Sequence, residues 1–169
     1  MKLLSLLLIS SSVLFAHTGT HDNGGFLTGF LHPIGGLDHI LAMIGIGMLA
    51  YFATNKGYLT LVSFIGAMIL AASVGYAGVS LIGMEAGIMI SIAVVFGMIG
   101  FAHKLPISAI AIIVAFFGMF HGFAHGAEFT SGNFVAYMIG FASSTLILHL
   151  SGMALAYLYS KKLLLSLAK

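Results

Sequence analysis

Residues 106–128 read PISAIAIIVAFFGMFHGFAHGAE. From Pro106 to about Ala127 the stretch is apolar except for Ser108, His121 and His125, and Glu128 follows directly. At ~1.5 Å per residue it is long enough to cross a hydrocarbon core of ~30 Å. The rest of the chain has the same character. Of 169 residues, 60% are hydrophobic and 6% are charged, where a soluble domain carries roughly a quarter. The charged side chains are six Lys, two Asp and two Glu, with no Arg, and eight His stand beside them. That composition cannot make a water-facing surface, so a soluble globular protein is excluded. The net charge of +2 reflects a scarcity of acid rather than a basic patch, which excludes a nucleic-acid binder. With no Cys, disulfides, thiolate metal sites and cysteine nucleophiles are excluded as well.

Working outward from this stretch, hydropathy gives five spans: Phe30 to Phe52, Tyr58 to Val79, Glu85 to Ala102, Pro106 to Ala127 and Asn133 to Ser160. The turns between them are short, so the expected fold is an all-α integral membrane protein, a compact bundle of about five transmembrane helices. The count becomes six if the first segment is split, because residues 24–52 can break at Pro33-Ile34-Gly35-Gly36. Small residues allow close helix approach, and Gly97 and the Gly118/Gly122 pair fit that use. Residues 1–16 read as a cleavable signal peptide: Lys2, an apolar run from Leu3 to Phe15, then Ala16. Residues 17–29 would form a short extracytoplasmic segment, and residues 30–169 one transmembrane domain. Cleavage would leave His17 with a free α-amine beside its imidazole, a chelating pair to which His21 and Asp22 can add. Lys56, Lys104, Lys161, Lys162 and Lys169 fall in the first turn, the third turn and the C-terminal tail. The positive-inside rule then puts the mature N-terminus outside and the C-terminus in the cytoplasm.

On this frame the polar groups gather at one depth. Asp38 and His39 lie ~20 Å from the inner end of the first span, and His121 lies ~22 Å from the inner end of the fourth. His121 and His125 are four residues apart on one helix face, Glu128 is three further on, and His32 and His39 share a face if their helix is continuous. An Asp or charged His in hydrocarbon costs roughly 2.5–3.5 kcal/mol on insertion scales, so such a pair needs a compensating partner. A lone membrane His is more often a helix–helix hydrogen bonder; two matched clusters at one depth point instead to a site. Neutral imidazole beside carboxylate suits a first-row divalent metal. Glu85 at the outer surface and His149 in the fifth span are weaker candidates for the ion's path. His103 reads as a solvated loop residue, and Met43, Met48 and Met98 as packing. Two other chemistries use these residue types. One is a bis-His haem protein for electron transfer; the other is a membrane-embedded zinc hydrolase with Glu128 as general base. The first is disfavoured by carboxylates beside the His, the second by the spacing His-x3-His-x2-Glu. No phosphate-binding loop ending in Gly-Lys-Ser/Thr occurs, so the chain cannot itself use ATP.

The strings His32-Pro33 through Asp38-His39-Ile40-Leu41-Ala42-Met43 and Phe120-His121-Gly122 through His125-Gly126-Ala127-Glu128 resemble those of the HupE/UreJ family. These are nickel permeases that accompany hydrogenase and urease maturation; Leu148-His149-Leu150-Ser151-Gly152 is a weaker third signature. The resemblance covers essentially the whole chain. It implies a small secondary permease in the bacterial cytoplasmic membrane, not an enzyme, with Ni²⁺ as cargo and Co²⁺ or Zn²⁺ as further candidates. It also implies His32, Asp38, His39, His121, His125 and Glu128 as the functional residues and no organic cofactor. The partners are the ion and the bilayer, with a second copy or an accessory subunit as candidates.

Overall fold

The computed structural model describes residues 24–53, 56–79 and 81–167. The expected signal peptide and the tail residues His17, His21 and Asp22 lie outside them. Among the described residues the ordered elements are helices. They are α1 (Phe26–Gly35), α2 (Leu37–Phe52), α3 (Tyr58–Tyr76), α4 (Met84–Ile99), a 3-10 turn (Ala102–Lys104), α5 (Ile107–Glu128) and α6 (Phe134–Leu167).

The surface is apolar and the interior carries the polar side chains. Val62, Leu70, Ile112, Val135 and Leu158 are exposed, whereas Asp38, His39, Thr60, Ser91, His121, His125, Ser144, Thr145 and His149 are buried. This inversion of the water-soluble pattern is what a lipid solvent selects, since hydrocarbon accepts leucine but not an unpartnered imidazole. Helices α3, α5 and α6 are each long and apolar enough to cross a membrane alone, and α1 with α2 passes only as a bent pair. The remaining helix, α4, has 16 residues and rises ~24 Å, short of the ~30 Å core.

The first span is not one rod. α1 and α2 meet at 86°. The joint is Gly36, with φ −116° and ψ 130°, extended backbone that interrupts the helix. Pro33 lies inside α1, so the break falls three residues after the proline. His32 and His39 therefore do not share a continuous helix face; the bend, not helical periodicity, turns them toward one another.

Glycines set how closely the helices approach. Gly118, Gly122 and Gly126 form an i, i+4, i+8 stripe on α5. A Cβ on each would strike the backbone carbonyl of Phe64, Met68 and Ala72 respectively, which are spaced the same way along α3. Two reciprocal pairs hold α6: Gly29 of α1 and Gly140 lie against the carbonyls of Tyr137 and Phe26, and Gly47 of α2 and Gly152 against those of His149 and Ile44. Gly97 serves no such purpose, since a Cβ there would meet open space.

Candidate metal centre

Three elements deliver one imidazole each. α1 ends with His32 in its last turn, α2 begins with Asp38 and His39 in its first, and α5 brings His125 one turn before its C-terminus. One ligand atom from each of His32, His39 and His125 lies within 4.8 Å of the others. His39 and His125 are fully buried and His32 partly so. The ring centroids of His32 and His125 are 4.6 Å apart, and those of His32 and His39 5.7 Å. Phe141 of α6 closes one side with its ring 4.2 Å from that of His125 and 5.9 Å from that of His32, and Tyr137 stands 6.3 Å from His32.

The two carboxylates lie behind the imidazoles. Asp38 Oδ1 is 3.1 Å from His39 Nδ1, with the carboxylate buried, and Glu128 Oε2 is 3.9 Å from His125 Nδ1, with its side chain one third exposed. The Nε2 atoms of His39 and His125 face each other at 2.9 Å. Without an ion, one of these nitrogens carries a hydrogen and donates a hydrogen bond to the other. With the protons on Nδ1, facing Asp38 and Glu128, both Nε2 atoms present lone pairs to a single ion. Carboxylates that hold the other ring nitrogen are the usual means of orienting a metal-binding imidazole.

The same geometry weighs against the two other chemistries. A 2.9 Å gap between Nε2 atoms leaves no room for a macrocycle between axial imidazoles. Glu128 stands on the Nδ1 side of His125, away from the Nε2 that would bind a zinc ion, which is not where a general base for a zinc-bound water would stand. Its partial exposure makes its contribution moderate. Glu128→Gln should weaken metal affinity roughly tenfold, the lower end for loss of a carboxylate behind a ligand, as read by equilibrium dialysis.

The other candidates are arranged as follows. His121 is buried one turn below His125, outside the group of three. Its ring is 5.4 Å from that of His39, and its Nε2 is 3.5 Å from Ser91 Oγ, which donates to the Ile88 carbonyl. The Phe64 ring of α3 packs 5.3 Å from that of His121 and 5.4 Å from that of His149. His149 is buried and separate from the group of three. Glu85 is exposed in the first turn of α4, and His103 is exposed in the 3-10 turn. Ser91, Phe64, Tyr137 and Phe141 were not singled out by sequence. The steps of four from Tyr137 through Phe141 and Thr145 to His149, one face of α6, are the pattern from which Tyr137 and Phe141 could have been read.

Residues 4–167 match the family described as HupE / UreJ protein. The chain belongs to the HupE/UreJ family. A HupE/UreJ relative, Protein HupE of Rhizobium leguminosarum bv. viciae, is 36% identical over 149 residues, which cover 87% of this chain and 78% of that protein. No solved structure matches the chain. The HupE/UreJ match runs through α1, α2 and α5, the three helices that carry the imidazoles.

Proposed function

We propose that this multi-pass membrane protein is a secondary permease that carries divalent transition-metal ions, Ni²⁺ first and Co²⁺ second, across the cytoplasmic membrane into the cell. The observation that carries this reading is the largely buried group of His32, His39 and His125, with a carboxylate behind two of its three rings. Imidazole nitrogen is a donor suited to nickel, and a 2.9 Å separation fits two ligands at about a right angle around an ion with ~2.05 Å bonds. Three donors leave coordination positions open, so an ion can exchange rather than be caged, as passage requires. The family supports the same reading, since the relative is a HupE protein.

Glu128 at the rim and Asp38 inside draw the cation, and the imidazoles replace part of its hydration shell. Lys56, Lys104, Lys161 and Lys162 support a cytoplasmic side opposite the imidazole group. With no nucleotide-binding loop in the sequence, the drive is the membrane potential, an ion gradient or a partner. Cell accumulation of Ni, Co, Zn, Mn and Fe, compared with and without the protein, tests the proposal. Nickel should rise severalfold and cobalt less; equal nickel in both strains would refute it.

A further inference from the structure

Below the group of three, α6 holds a second imidazole system that the reading above does not use. His149 is fully buried, and its Nδ1 lies 2.9 Å from the backbone carbonyl of Met43, four residues after His39 on α2. A carbonyl oxygen has no proton to give, so Nδ1 is the donor and carries the ring's hydrogen. Nε2, on the far side of the ring, is then a bare lone pair. It is buried and has no hydrogen-bond partner among the described residues. The same holds for three hydroxyls: Thr145 one turn before His149 on the same face of α6, Ser144 beside it, and Thr60 one turn from Phe64 on α3. The Phe64 ring touches both His121 and His149.

We infer that His149 is a second ion-binding position, at which Nε2 takes a divalent transition-metal ion after it leaves the group of three. This rests on the permease reading. The tautomer is the one a ligand needs, and it is imposed by the same helix that supplies His39. A single imidazole nitrogen makes a weak position, which suits a stop that must release its ion onward. The alternative is that His149 only ties α6 to α2 through the Met43 carbonyl.

Two experiments separate these. The chain has no cysteine, so a thiolate introduced at one place reports on that place alone. Purified His149→Cys protein loaded with Co²⁺ should show near-ultraviolet thiolate-to-cobalt charge-transfer absorption, and Ser151→Cys, exposed on the same helix, should not. Cobalt bound at the outer site without that absorption in His149→Cys overturns the inference. In the second arm, His149→Asn keeps an N–H near the Met43 carbonyl and removes Nε2. Initial Ni²⁺ uptake should fall about tenfold or more while Ni²⁺ binding to the purified protein persists. Uptake within about twofold of the unaltered protein means that the hydrogen bond is all that matters and sinks the idea. Failure of the permease reading shows elsewhere, as uptake indifferent to loss of His32 or His125, whatever the cobalt spectrum gives.

Discussion

His125→Ala should abolish nickel uptake, with initial rates down on the order of a hundredfold or more and a matching loss of Ni²⁺ binding by the purified protein. Removing a carboxylate behind a ligand costs about 10–100-fold in metal affinity, and removing the ligand itself costs at least the upper end. His125 is also the ring on which the arrangement converges. Its Nε2 faces that of His39 at 2.9 Å, His32 packs on it at 4.6 Å, Phe141 at 4.2 Å, and Glu128 stands behind it. Without it, His32 and His39 are two donors with no third to hold the ion between them. Alanine is the best helix former, so α5 keeps its shape and the glycine stripe beside α3 is untouched. The loss is therefore chemical rather than a collapse. His103→Ala is the matched control: an exposed imidazole in the 3-10 turn whose removal should leave uptake unchanged. Equal uptake by His125→Ala and the unaltered protein would show that the buried imidazoles are structural.

Much of this site was legible in the sequence, for identifiable reasons. Helical spacing puts His121 and His125 on one face, and counting residues from the lysine-marked ends brings that face level with Asp38 and His39. Spacing does not say which of two stacked residues meets the partner helix. The answer is His125, because His39 lies at its height and His121 lies one ~5.4 Å turn away. The bend was partly legible. Pro33 and two glycines marked a weak segment, but the extended geometry at Gly36 is open to any residue, so local sequence does not single it out. What holds α1 across α2 is its seam with α6, and that seam is tertiary. Phe64 and Phe141 look, in sequence, like any other aromatic residue in an apolar helix; only packing separates them from Phe116, which is exposed.

That seam makes Gly140→Val a damaging change outside the imidazoles: it should lower uptake as far as His32→Ala does. A Cβ at position 140 would run into the Phe26 carbonyl and lie 2.8 Å from Phe30 N and 2.9 Å from Phe26 C. These are backbone atoms, which cannot rotate aside as a side chain can, so the helices must part. Overpacking of this kind costs about 1–3 kcal/mol even where neighbours can shift. The strain is released where restraint is weakest. α6 is 34 residues long and is held to α2 as well by the Gly47/Gly152 pair, whereas α1 has ten residues between the joint at Gly36 and the backbone hydrogen bonds that tie Gly24 to Ser131 and Asn133. α1 therefore bows away from α6 between those two ends, taking His32 away from His39 and His125, while the α2–α6 seam stays closed. The expected signature is lost uptake and lost Ni²⁺ binding with the helical circular dichroism of the unaltered protein. Gly29→Val, across the same seam and against the Tyr137 carbonyl, should do the same. The two changes together should add little, because residues that share one contact are not independent. Gly97→Ala, whose Cβ enters open space, should change nothing. Uptake preserved in Gly140→Val would mean that His32 does not need α1 held on α6, and that the ion is bound by His39 and His125 without it.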